Sequence, residues 1–213
     1  MIKITDVLNE LSKNRPVFYS EADFQHALAW RIHEKYPDFN IRLEKRVILN
    51  EKEIYFDIFI FKDNKIVAVE VKYKTKNLDT VVTSEKFSLK NQGAQDQGRY
   101  DFVKDISRLE KALETYYDST GFAIFLTNDE SYWKVLARDV NTADKDFRIQ
   151  EGKTIKGKLS WKVETSKGTM SGREEPIILK GEYILNWEDY SNLEEQNGKF
   201  RYLLIEVKHG YGI

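Results

Sequence analysis

The chain has 213 residues and no cysteine, and its 34 Lys plus Arg against 35 Asp plus Glu give a formal net charge of −1. The absence of cysteine excludes disulfides, thiolate metal sites and a cysteine nucleophile, and the charge balance excludes nucleic-acid binding by overall basicity alone. Hydrophobic content of 41% and aromatic content of 13% suit a folded domain with a real core, while no run approaches the ~20 apolar residues that span a bilayer.

Met1 to Leu8 is amphipathic with an acid at Asp6, which does not read as a signal peptide. The expected setting is cytoplasmic, with no membrane partner. Ile4, Val7, Leu8 and Leu11 form one helical stripe over residues 3–12, broken at Asn14-Arg15-Pro16. Ser20-Glu21-Ala22-Asp23 resembles a capping box with Asp in place of Glu or Gln. It opens a helix to about Lys35 that turns Phe24, Ala27, Leu28 and Ile32 inward. Pro37 ends it, and residues 40–49 read as a strand. Two apolar runs, Ile54 to Phe61 and Ile66 to Lys74, flank a polar Asp63-Asn64 turn and form a hairpin signal. Residues 75–99 read as a long polar loop with Gly93 and Gly98 as bends. A helix over about 99–117 follows, with Val103, Ile106, Leu109 and Leu113 on its core stripe. Residues 121–128 form a near-continuous apolar strand, expected to be central and parallel to a neighbour across that helix. Strand-like segments at 154–164, 176–185 and 200–208 close the chain. The expected architecture is α/β (α+β): a core over 1–135 and a strand-rich extension or subdomain over 136–213, packed on it. His26, His33 and His209 lack ligand spacing and carry no assigned role.

The hairpin carries the chemistry. With Asp63-Asn64 at the turn, Lys62 faces Lys65 and Asp57 faces Glu70, which puts the two carboxylate Cβ atoms roughly 4.5–5.5 Å apart. Lys72 shares Glu70's face. That face also carries Tyr55, Phe59, Phe61, Ile66 and Ala68, and the opposite face carries Ile54, Phe56, Ile58, Ile60, Val67, Val69 and Val71. Both faces are apolar, as in the buried centre of a sheet covered on both sides. Two acids facing each other there repel, so one must protonate or a cation must neutralise them. Lys72 alone could do so as a structural ion pair, and a divalent metal is the functional alternative. Glu206-Val207-Lys208 repeats the tripeptide, but Leu193 stands thirteen residues before Glu206 where an acid precedes Glu70. That copy reads as a plain strand end.

Through Asp57, Glu70 and Lys72, residues 17 to about 130 resemble the PD-(D/E)XK, or restriction-endonuclease-like, nuclease superfamily. Its core is a mixed β-sheet flanked by helices, with an Asp and then Glu/Asp-x-Lys on the central hairpin. Phe56 stands where the Pro of the motif would be. Many members carry a Glu on the first core helix, and Glu21 matches it. The Gln-x-x-x-Tyr of some branches is not met, because the spacing here is Gln97-x-x-Tyr100; Gln97 is retained as an auxiliary candidate. The resemblance implies Mg²⁺, with Mn²⁺ substituting, held by Asp57, Glu70 and the backbone carbonyl of Val71. It implies that Lys72 orients or helps deprotonate a water, its pKa lowered by burial, and that Glu21 holds the metal through water or helps recruit a second ion. The implied activity is phosphodiester hydrolysis, with DNA as partner ahead of RNA, since no aromatic RNA-recognition signature is present. A homodimer would let two sites cut two strands. The alternative is an inactive nuclease-like module that binds nucleic acid or a protein. Residues 153–173 hold Lys153, Lys156, Lys158, Lys162, Lys167 and Arg173 against the single acid Glu164, either a phosphate-contacting surface around Trp161 or a solvated β face. Arg108 is either a phosphate contact or an ordinary helical partner of Asp101 or Asp105.

Overall fold

Ile4, Val7, Leu8 and Leu11 all lie buried on one face of α1 (Ile4–Asn14) in the computed structural model, which describes residues 2–49, 52–116, 119–135 and 142–208. Ser20 caps α2 (Glu21–Lys35) by accepting the Asp23 N–H. The return arm of the capping box is absent: Asp23 instead accepts from Arg15 at 2.8 Å and from the Tyr19 amide at 2.9 Å, which pins the α1–α2 turn.

After α2 come β1 (Asn40–Leu49), β2 (Lys52–Lys62), β3 (Lys65–Lys74), β4 (Leu78–Val82), β5 (Glu85–Leu89), α3 (Gln95–Leu113) and β6 (Ser119–Thr127). The chain continues with β7 (Thr154–Leu159), α4 (Lys167–Met170), β8 (Ile177–Ile184), β9 (Trp187–Asn192) and β10 (Lys199–Lys208). The fold is mixed α+β. Its six-stranded sheet has the order β1-β2-β3-β6-β10-β9. The β3–β6 pair is parallel, as expected for a strand reached through the α3 crossover, and every other pair in the sheet is antiparallel.

The sheet separates two cores. On one side α1 and α2 pack with Ile58, Ile60, Val67, Val69 and Val71. On the other, Phe102, Val103, Ile106 and Leu109 of α3 pack with Phe59, Ala68, Ala123 and Phe125. The α3 contact is close at Gly121, where an added Cβ would stand 3.1 Å from Leu109. Covering helices on both faces explain the apolar residues on both sides of β2 and β3.

Two expectations need correction. The stretch 75–99 is not an irregular loop: β4 and β5 form a hairpin whose Leu78, Phe87 and Leu89 join the α1/α2 core. Its turn runs through Thr83 and Ser84, with φ of 49° and 70°. Helix α3 starts at Gln95, four residues early, behind a left-handed Ala94 that offers no side-chain cap. The C-terminal segments do two things. Strands β9 and β10 extend the main sheet, while β7 and β8 form a separate pair against α3. Glu110 of α3 holds that pair by accepting the Lys180 and Gly181 amides and the Tyr183 hydroxyl. The expected boundary after residue 135 abuts residues 136–141, which lie outside the described residues.

Candidate functional site

The β2–β3 hairpin pairs Lys62 with Lys65 and continues to Ile58 with Val69, in the expected register. The ladder then stops, so the expected direct Asp57–Glu70 pair is not formed. Past that point the β3 amides of Val71 and Tyr73 would face an empty edge, and buried N–H groups are rarely left unpaired. Two carboxylates replace the missing strand. Asp57 Oδ2 accepts the Val71 N–H at 2.6 Å, and Glu21 Oε2, from the first turn of α2, accepts the Tyr73 N–H at 2.8 Å.

The β1 ladder skips the same residue. Leu43 pairs with Ile58 and Lys45 with Phe56, while Glu44 has φ of 49°. Gln25 of α2 fills this gap, its Nε2 donating at 2.7 Å both to the Asp57 carbonyl and to Glu44 Oε1. The interruption also resets the alternation of faces. Simple period-2 reading puts Ile54 and Phe56 with Ile58, yet both pack into the α3-side core.

Glu70 and Lys72 point at α3. Lys72 Nζ lies 2.7 Å from Asp105 Oδ2 and donates to the Val71 carbonyl at 3.2 Å. Arg108 Nη2 lies 3.2 Å from Glu70 Oε1 and donates to the Tyr55 carbonyl at 2.6 Å, and its Nη1 bonds Asp105 Oδ1 at 3.2 Å. Four acidic side chains (Asp57, Glu70, Asp105 and Glu21) thus face two basic ones (Lys72 and Arg108).

The electrostatics follow from burial. Glu70 is 2% exposed. Desolvation pushes its carboxyl well above the usual range, Asp105 adds to the rise, and Arg108 opposes it. Burial also raises Asp57, against the Val71 amide and Lys72. For Lys72 burial works against the charged form, but Asp105, Glu21 and Asp57 outweigh it and the ammonium is held above its ordinary pKa. Burial thus lowers the Lys72 pKa as expected, but the surrounding acids, Asp105 first, reverse the net direction.

Asp57, Glu70, Lys72 and Glu21 are brought together around the end of the β2–β3 ladder. Gln97 is not among them: it donates to the Thr169 carbonyl at 3.0 Å, beside α4. Asp105 and Gln25 were missed. Asp105 follows Phe102 by three positions and precedes Leu109 by four, so an acid standing on an apolar helical stripe was the available signal. Among the described residues no three acidic or histidine side chains converge closely enough to ligate a cation as they stand.

The basic stretch 153–173 is engaged in part, while Lys158 and Lys167 remain exposed. Lys156 pairs with Glu182 at 3.0 Å, Arg173 pairs with Asp101 at 2.7 Å, and Trp161 stacks on Tyr100 with ring centroids 5.6 Å apart. Lys153 donates to the Lys145 and Asp146 carbonyls, and burial pulls its pKa down to about 8. In the second Glu-Val-Lys copy, Glu206 and Lys208 stand 3.5 Å apart with side chains 39% and 65% exposed. No family model matches the chain, and no curated protein or solved structure matches it at significance.

Proposed function

We propose that the protein is a metal-dependent nuclease that hydrolyses phosphodiester bonds, with DNA as the preferred substrate, on a restriction-endonuclease-like core. The observation that carries this reading is the break in the β2–β3 ladder, where Asp57, Glu70 and Lys72 gather with Glu21 and acidic side chains outnumber basic ones. The donor set suits Mg²⁺, a hard cation that binds one or two carboxylates and keeps several waters rather than filling an all-protein cage. Glu70 supplies a buried Oε1 without a hydrogen-bond partner. Asp57 commits Oδ2 to Val71 and keeps Oδ1 to offer, and the Val71 carbonyl is a third hard oxygen.

When bound, Mg²⁺ would supply a more acidic water and neutralise charge on the scissile phosphate. The chain's own groups do the positioning. Glu21 and Asp57 fix the β3 backbone through its amides, so Glu70 and Lys72 are aimed rather than free. Lys72, kept protonated by Asp105, serves as a hydrogen-bond donor and cation toward a water or phosphate oxygen, not as a base.

A second reading is an inactive module that binds nucleic acid or protein. It is favoured by the Lys72–Asp105 and Glu70–Arg108 ion pairs, which hold the acids without any metal. The two readings separate in one assay. Purified protein is incubated with supercoiled plasmid, linear duplex and single-stranded DNA, plus Mg²⁺ or Mn²⁺, beside Asp57→Ala. Metal-dependent cleavage lost in the variant is expected. Equal behaviour of the two proteins would overturn the nuclease reading.

A further inference from the structure

Arg108 is more constrained than a surface arginine needs to be. Its guanidinium spans Glu70 Oε1, Asp105 Oδ1 and the Tyr55 carbonyl, at 3.2, 3.2 and 2.6 Å. Lys72 is committed to Asp105 at 2.7 Å, and among the described residues Arg108 is the cation paired with the buried Glu70 carboxylate. Yet the pairing is incomplete. Glu70 Oε1 makes no hydrogen bond, and Arg108 Nε is buried without one. A buried ion pair compensates its desolvation only when its geometry is excellent, so this one is a weak structural device. It is an effective placeholder, because a better-suited cation can take its carboxylate. The Arg108 side chain retains 28% exposure, which gives it a path outward.

We propose that Arg108 is an exchangeable counter-ion, neutralising Glu70 in the metal-free protein and yielding that carboxylate when a divalent cation binds at Asp57 and Glu70. Arg108 is then a positioning residue that sets cation affinity by competition. The same contact explains why the carboxylates do not converge into a ready cage. The inference rests on the metal-site reading above, and its test separates the two.

Mn²⁺ is titrated into the wild type, Arg108→Gln, Arg108→Lys and Asp57→Ala, with free Mn²⁺ read by electron paramagnetic resonance and heat by calorimetry. Arg108→Gln should bind Mn²⁺ about tenfold more tightly, since removing one charge beside the site removes its repulsion and its competition. Arg108→Lys should stay closer to wild type, within about threefold, because it keeps the positive charge beside the site. A merely structural arginine predicts the opposite sign, weaker binding in Arg108→Gln. Unchanged or weaker binding in Arg108→Gln, with wild-type binding intact and Asp57-dependent, would overturn this inference alone. No binding by wild type would overturn the metal-site reading and this inference with it. Should Arg108→Gln fail to fold, the Arg108 Nε–H signal of the wild type serves instead, assigned by through-bond correlation. It should shift as Mg²⁺ saturates, and an unmoved signal at saturation would count against exchange.

Discussion

Glu-Val-Lys occurs twice in the central sheet, on β3 and β10, the two strands that flank β6. In β3, Glu70 and Lys72 lie opposite Ala123 and Phe125, residues of the α3-side core. In β10, Glu206 lies opposite Phe122, of the α1/α2 side, and Val207 joins the α3-side core instead. The two copies are thus out of phase by one residue across the sheet. One buries its charges beneath α3 and the other buries its valine. Burial then decides chemistry. Glu70 is raised well above the ordinary carboxylate range by desolvation, against Arg108, while Glu206 and Lys208 make an exposed pair of small energetic consequence. Strand phase and a covering helix separate the two copies, not the tripeptide.

Substitutions matched across the two copies test this contrast. The largest difference should be in cleavage. Asp57→Ala and Lys72→Ala should lower metal-dependent plasmid nicking by at least ~100-fold, and Lys208→Ala should change it by less than about twofold, measured as initial rates on one plasmid preparation. Stability comes next. Asp105→Ala removes the ion-pair partner of Lys72, 17% exposed, and leaves Glu21 and Asp57 to offset its charge, so it should destabilise the fold by about 1–3 kcal/mol in urea unfolding. Asp105→Leu combined with Lys72→Met should recover most of that loss. Glu206→Ala should stay within about 0.5 kcal/mol of wild type. Gln25→Ala removes the amide that fills the gap beside Asp57 and leaves a carbonyl unpaired. A loss of about 1–2 kcal/mol is expected in the same assay, with Mn²⁺ affinity reduced because Asp57 is less firmly placed.

The smallest effect carries the sharpest sign. The Glu70 carboxyl is raised in the folded protein, so the folded state binds its proton more readily than the unfolded chain does. The stability this contributes is present at low pH and is lost as pH rises from the unfolded value through the folded one. At pH 8 without metal Glu70 is therefore a net cost relative to a neutral side chain of the same shape. Glu70→Gln should raise the metal-free Tm by about 2–4 °C at pH 8 and lose that advantage as pH falls toward the ordinary carboxylate range. A Tm that drops at pH 8 would mean that the Glu70–Arg108 contact is a stabilising pair after all.

The hairpin register as far as Ile58–Val69, the helices flanking it and the parallel β3–β6 pairing were legible in the sequence because each rests on strong local periodicity and on a turn with Asn and Asp. The β4–β5 hairpin was not. Its turn uses Thr83 and Ser84 at positive φ, where Asn or Gly would have given the signal, and its polar outer face reads as loop. The start of α3 was misplaced for a related reason, since Ala94 provides no capping side chain. At the site, Asp57, Glu70, Lys72 and Glu21 were visible as residue types at a spacing. What they do was less visible. That Asp57 and Glu21 satisfy β3 amides depends on where a ladder ends, which is a tertiary fact. That Lys72 is held protonated depends on Asp105, thirty-three residues away in sequence and brought close only by the α3 crossover.

The most direct measurement is the anomalous difference density of crystals grown with saturating Mn²⁺. A peak is expected beside the Asp57 and Glu70 carboxylates, with Arg108 withdrawn from Glu70, and no peak at Glu206. Density that lacks a peak at Asp57 and Glu70, with Lys72–Asp105 and Glu70–Arg108 both intact, would contradict the metal-site reading and leave a metal-independent ion cluster in its place.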